Sequence, residues 1–270
     1  MLGHRVINSA LLIIFLWLLI FILPIWVFAI AVVGAVGLGL YEFFNMVSKK
    51  GIPIYRYFGI IIGCLIPITT YLQLRSSAEM EFVLITAVCF CVFLLQIARR
   101  KTEHALVGIA TTFFGIFYIG WLFSFAIKLR MLPPLNMDGR FLVLYLLLVT
   151  KSGDIAAYFI GTFFGKHQLI PRISPKKSIE GAVAGCLVSF IVAIGFKSLL
   201  PDVSIIHICA IGLLISLVGQ VGDLSESLIK RDCQVKDSGS LFLGLGGILD
   251  LIDSLIFTTP IFYFYLRLIT

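Results

Sequence analysis

Nine apolar runs follow one another along this chain with little between them, at about 7–22, 24–44, 53–73, 80–98, 105–127, 141–163, 179–200, 203–222 and 247–268. A helix needs roughly 20 apolar residues to cross about 30 Å of hydrocarbon, so each run is long enough, or nearly so, to be a span. A soluble fold cannot hide that much oil. Hydrophobic residues make up 60% of the chain and charged ones 13%, with a mean hydropathy of +1.09, against about 45–50% and about 25% in soluble domains. The excess would leave a water-facing surface that is one continuous apolar patch. The expected fold is therefore all-α, a polytopic integral membrane protein of about nine transmembrane helices. Only Pro24 separates the first two runs, so the count stays open between eight and ten. The Ile7 to Ile22 run is long for a secretory signal, lacks a small-residue cleavage site and leads straight into the next run, which reads as a retained span.

Basic residues set the expected orientation. Putting the N-terminus and every second loop on one face gathers fourteen Lys and Arg there, against six on the other. The positive-inside bias then places the N-terminus in the cytoplasm. The two richest polar loops, 164–178 and 223–246, share that face, where cytosolic nucleotides can reach them. The net charge of +7 suits an anionic membrane surface or an anionic substrate. No nucleic-acid partner is expected. The six cysteines form no CxxC pair and read as small hydrophobes. Short loops favour a bacterial inner membrane.

Polar chemistry concentrates in the second half, which divides the chain into residues 1–140, a lipid-facing scaffold, and 141–270, a catalytic region. Nine of the 14 carboxylates fall after residue 150, and several interrupt or border apolar runs. An acid at that depth costs a few kcal/mol unless paired or metal-bound, so it is a functional candidate. Asp223 and Glu226 are three apart and share a helix face, with Lys230 a turn later. Asp250 and Asp253 repeat the spacing at the start of the last run. Two helix ends, joined through the Gly244–Gly247 turn, could present their oxygens to one hard cation such as Mg²⁺. The plainer alternative is that these acids cap helices or pair with Lys230 and Arg231.

The other loop reads GKHQLIPRISPKKSIEGAVAG. Ser174, Pro175 and Ser178 are helix-start residues, and Glu180 falls in the first turn. Lys176 and Lys177 stand beside the unpaired N–H groups of that start, which together make a phosphate cradle. Plain positive-inside decoration accounts for the lysines but not for their setting. His167 could add a phosphate contact, whereas His207 reads as a span-end residue. The chain has no HExxH, no nucleophile–His–Asp set and no Walker loop, so zinc and covalent catalysis have no support.

These residues resemble the phosphatidate cytidylyltransferases, also called CDP-diglyceride synthases. Ser227, Lys230, Arg231, Lys236, Asp237 and Gly239 match the family signature S-x-x-K-R-x4-K-D-x-G in register. Gly244, Gly246, Gly247, Asp250 and Asp253 match its second half. Upstream, SPKKSIEG and GDIAAYFIGTFFGK resemble two further family segments. Leu243, Leu245 and Leu251 depart from the family, standing where it has Pro, His and Arg. The resemblance implies that a phosphate of phosphatidic acid attacks the α-phosphorus of CTP, giving CDP-diacylglycerol and pyrophosphate. It also implies that Asp223 and Asp250 hold Mg²⁺, as one ion or a pair of cations, with Glu226 or Asp253 in support. Lys176, Lys177, Lys230 and Lys236 would hold the triphosphate and lipid phosphate, with Arg231 assisting. Asp154 and Tyr158 would line the lipid-side entrance, and a homodimer is implied by likeness alone. Three rivals stand beside this reading: a CTP-dependent lipid-alcohol kinase of the polyprenol or dolichol type, a membrane transporter, and a catalytically silent relative.

Overall fold

The structure is a computed structural model that describes residues 2–72, 79–99, 103–132, 138–239 and 246–269. Arg75, Arg100 and Lys101, counted above for orientation, lie outside them, as do Leu243, Gly244 and Leu245. Each apolar run is helical: α1 (Leu2–Trp17), α2 (Ile25–Ser48), α3 (Arg56–Leu72), α4 (Glu79–Ala98), α5 (Ala105–Gly115) continued through a π-turn into α6 (Leu122–Arg130), α7 (Gly139–Phe164), α8 (Ile179–Gly195), α9 (Ile205–Asp232) and α10 (Ile248–Ile269). Among the described residues, five helices are long and apolar enough to cross a membrane, with α5 and α6 counted as one, and four shorter apolar helices accompany them. Side chains such as Ile97, Leu106, Ile206 and Leu268 are 76–84% exposed. That apolar exterior belongs in lipid rather than water. The chain is an all-α membrane protein.

One element departs from the helical expectation. Residues Gln168–Ile170 (β1) and Ser174–Ser178 (β2) form a small antiparallel hairpin, with Gln168 opposite Ser178 and Ile170 opposite Ser174. The SPKKS stretch is therefore a strand that runs into a helix rather than the first turn of one. Ser178 is the N-cap of α8, its hydroxyl accepting from Gly181 N at 3.1 Å.

The chain forms two compact units. One comprises Met1–Ile127 with Cys233–Asp250, the other Lys128–Asp232 with Leu251–Thr270. In the first, Leu40, Phe43 and Phe44 of α2 are fully or almost fully buried, and α2 packs on α3. In the second, α7 and α8 approach through small residues: a Cβ on Gly181 would lie 2.6 Å from the Ala157 carbonyl oxygen, and one on Gly185 3.0 Å from that of Gly153. Such contact between helix backbones is how membrane helices gain packing energy without a hydrophobic drive. None of the six cysteines forms a disulfide, and five are buried or half-buried, with Cys89 exposed.

Candidate active site

The close packing of α7, α8 and α9 leaves a cavity of about 470 Å³, lined by Asp154 and Tyr158 of α7, Lys176 and Lys177 of β2, and Gln220 and Asp223 of α9, among others. Ser174 and Ser178 also line it. A strand alternates its side chains, and here Lys176 is exposed while Lys177 is half-buried. Lys177 Nζ lies 2.5 Å from Asp223 Oδ2. The two lysines expected beside a helix start are thus on a strand, and one of them is tied to a carboxylate of α9. Tyr158 is 68% exposed on the outer face of α7.

Three acids of this unit gather on α9 and α10. Asp223, Glu226 and Asp253 each offer an oxygen, and these oxygens lie within 4.8 Å of one another. Asp223 and Glu226 share a face by their i, i+3 spacing. Asp253 comes alongside because Gly222 admits the α10 backbone: a Cβ there would sit 2.6 Å from the Asp253 carbonyl oxygen. Glu226 is fully buried and pairs with Lys230. Asp253 is buried and, among the described residues, has no lysine within ion-pair distance. The donor set fits Mg²⁺, which takes oxygen ligands at about 2.0–2.1 Å. Octahedral edges at that radius are about 3 Å, so a shift of an ångström or two brings the three oxygens onto one ion.

Asp250 lies in the other unit. Its Oδ2 accepts from Gly247 N at 2.8 Å, Ser238 N at 3.1 Å and Ser238 Oγ at 2.8 Å. The bond from Gly247 is one half of a capping box on α10, so the plainer reading of this acid accounts for part of its role. Lys236 and Asp237 are exposed on the segment after Cys233. Arg231 is exposed, and its Nε donates to the Ile173 carbonyl at 3.2 Å, tying α9 to the hairpin. Glu180 accepts from Lys166 N at 3.1 Å and His167 N at 3.2 Å, and meets His167 Nδ1 at 2.7 Å. It clasps the hairpin's entry to the start of α8, and His167 is its partner.

Sequence reasoning passed over three polar residues. Lys151 donates to Asp154 Oδ2 at 3.1 Å and to Ser254 Oγ at 2.8 Å, and Ser254 donates to Asp154 Oδ2 at 3.0 Å. A lysine three residues before an acid inside an apolar run was the available signal. Gln220 lines the cavity and donates to the Ala182 carbonyl at 3.0 Å. Glu42 of α2 accepts from Ile248 N at 3.0 Å and Leu249 N at 2.9 Å. It is the one acid in the 24–44 run.

A model of the "Cytidylyltransferase family" matches residues 3–269. The chain belongs to this family. Among its relatives, the phosphatidate cytidylyltransferase of Synechocystis is 33% identical over 268 residues, covering 90% of this chain and 89% of that protein. That of Bacillus subtilis is 32% identical over 246 residues, 89% of each. The Escherichia coli protein YnbB is 40% identical over 203 residues, 70% of this chain and 68% of its own. In this cytidylyltransferase family member, the cavity sets a lysine, Lys177, against an acid, Asp223.

Proposed function

We propose that this chain transfers CMP from CTP to phosphatidic acid, giving CDP-diacylglycerol and pyrophosphate for phospholipid synthesis. Family membership supports the reaction. The observation that carries the site is the contact of Lys177 with Asp223 in a cavity that the exposed Tyr158 of α7 also lines. A phosphate oxygen of the lipid forms a bond to the α-phosphorus of CTP, the bond from that phosphorus to the bridging oxygen breaks, and pyrophosphate leaves. Little covalent chemistry falls to the protein. Its task is positioning and charge neutralisation.

Lys176 and Lys177 offset the repulsion between the two anions, and Lys230, Lys236 and Arg231 add to the cationic equipment, with Asp237 in the same signature. Ser174 and Ser178 line the same cavity, and Glu180 fixes the hairpin that carries the lysines. Asp154 and Tyr158 stand at the lipid-side entrance. Asp223, Glu226 and Asp253 would hold Mg²⁺, and Asp250 keeps the metal-holding role that its signature position implies. A metal ion held by these acids, whether one or a pair of cations, would supply neutralisation of phosphate charge.

The same reading has nine spans with the N-terminus and both polar loops in the cytoplasm of a bacterial inner membrane, and a homodimer as the assembly. Reporter fusions at the loops and crosslinking in membranes test these points. The reaction is tested with purified protein, Mg²⁺, phosphatidic acid and CTP labelled at the α- or γ-phosphate. The expected products are an α-labelled CDP-lipid and γ-labelled pyrophosphate. A lipid alcohol that takes up the γ-label with release of CDP would overturn the reading in favour of a kinase, and solute flux in proteoliposomes without a lipid product would favour a transporter.

A further inference from the structure

Glu42 lies in the part of the chain that the sequence assigns to a lipid-facing scaffold, yet it is only 6% exposed and sits between Tyr41 and Phe43 in an apolar helix. A carboxylate in such a place is costly unless its oxygens are satisfied. Here the donors come from the far end of the sequence. Ile248 N and Leu249 N, the first two amides of α10, donate to Oε1 at 3.0 Å and Oε2 at 2.9 Å. These amides have no partner within their own helix, and the carboxylate also meets the positive end of the helix dipole.

The contact extends to the signature acid. Ser238 Oγ lies 3.1 Å from Glu42 Oε2 and 2.8 Å from Asp250 Oδ2. Asp250 Oδ2 also takes Ser238 N and Gly247 N, at 3.1 and 2.8 Å. The turn before α10 fits against these acids closely. Gly246 has φ of +94°, and a Cβ on Gly247 would run into Glu42 and Ser238. The rotamer of Asp250 and the start of its helix are thus fixed by one group of bonds, in which Glu42 accepts from two amides and shares the single Ser238 hydroxyl proton with Asp250. A simple stabilising cap would need only the two amides. The hydroxyl shared with Asp250 gives Glu42 a hold on the acid itself.

We propose that Glu42 is a positioning residue for the reaction, acting through Ser238 and the α10 amides to set the orientation of Asp250. The inference rests on the reading of Asp250 as a metal-holding acid given above. Groups that orient metal-holding side chains typically alter metal affinity or activity by about 10–100-fold when removed.

The test uses the full-length protein in detergent, as wild type, Glu42→Gln, Glu42→Asp, Ser238→Ala and Asp250→Asn. Three quantities are measured: initial rates against Mg²⁺ and CTP, Mn²⁺ binding by electron paramagnetic resonance, and amide hydrogen exchange over residues 246–250. Glu42→Gln and Ser238→Ala should each lower kcat about tenfold and weaken Mn²⁺ binding several-fold, with KM for CTP at saturating Mg²⁺ almost unchanged. Glu42→Asp, which keeps the charge, should recover part of the loss. Ile248 and Leu249 amides should exchange faster in Glu42→Gln. Faster exchange with wild-type kcat and Mn²⁺ binding would make Glu42 a stabilising cap and overturn the proposal. Should Glu42→Gln fail to fold, Ser238→Ala decides by the same readouts. Wild-type turnover in Asp250→Asn would show that the reading of Asp250 is at fault, and the positioning role would fall with it.

Discussion

Lys177 Nζ stands 2.5 Å from Asp223 Oδ2, joining the hairpin strand β2 to helix α9 at the wall of the cavity. The two side chains are 27% and 38% exposed, so solvent screens the pair and its contribution to stability is at most about 1 kcal/mol. Its importance lies in binding. Lys177→Met removes a charge-assisted hydrogen bond to phosphate worth about 1.5–3 kcal/mol. The expected loss in kcat/KM for CTP is about ten- to a hundredfold, with thermal unfolding in detergent almost unmoved. A variant that unfolds readily but turns over normally would assign the pair to structure instead.

The Glu226–Lys230 pair should behave in the opposite way. Glu226 is fully buried and Lys230 is 14% exposed, one helical turn apart on α9. Glu226→Gln leaves an ammonium buried without its counter-charge, and breaking such a pair from one side costs about 3–5 kcal/mol. Thermal unfolding in detergent should report that loss. The double variant Glu226→Gln with Lys230→Met should regain most of the stability and none of the activity. Recovery of activity in the double variant would remove Glu226 from the metal-holding set.

The two acids of α9 were legible because both lie on one element at helical spacing, and a charge inside an apolar run stands out against its surroundings. Asp253 could be paired with Asp250 in the sequence, since they are three apart, but their surroundings differ. Asp253 comes to Asp223 and Glu226 because Gly222 admits its backbone. Asp250 takes its bonds from Ser238 and Gly247. No periodicity encodes which side of a helix start is covered by a distant segment. The same reason hid Glu42, whose partners lie some 200 residues later and whose neighbours in sequence are all apolar or aromatic. Most helices were readable to within a few residues, since apolar length defines them, but α9 runs on to Asp232, so the first ten residues of the loop expected over 223–246 are helix: their charges end the apolar run without ending the helix. The hairpin was not, because SPKKS carries helix-start residues and becomes a strand only by pairing with Gln168–Ile170.

Divalent metal should be required and Mg²⁺ preferred. Three carboxylates offer oxygen ligands to a hard cation, and Mg²⁺, which keeps several waters and needs few protein ligands, suits so small a set better than Ca²⁺, which takes 6–8 oxygens at about 2.3–2.6 Å. Chelation should stop turnover, Mg²⁺ should restore it, and Ca²⁺ should fail to. Asp253→Asn should raise the Mg²⁺ concentration for half-maximal rate by about tenfold or more. Unchanged Mg²⁺ dependence in that variant would exclude Asp253 from the ion's ligands.

Gly222 tests whether the approach of α9 to α10 is what assembles these acids. A Cβ there would meet the Asp253 carbonyl oxygen at 2.6 Å and Ser254 Cα at 3.1 Å. Both are backbone atoms, which cannot rotate away, so the helices must separate at a cost of about 1–3 kcal/mol. Gly222 adjoins Asp223, and any separation widens the gap between the α9 carboxylates and Asp253. Gly222→Ala should therefore lower the rate and raise the Mg²⁺ requirement, even where the protein inserts and folds. Gly34→Ala is the matched control, since a Cβ at that position meets nothing within 4 Å, and it should be neutral or stabilise α2 by about 0.5–1 kcal/mol. If Gly222→Ala keeps wild-type kinetics and Mg²⁺ dependence, the contact between the two helices is not what gathers the three acids for the reaction.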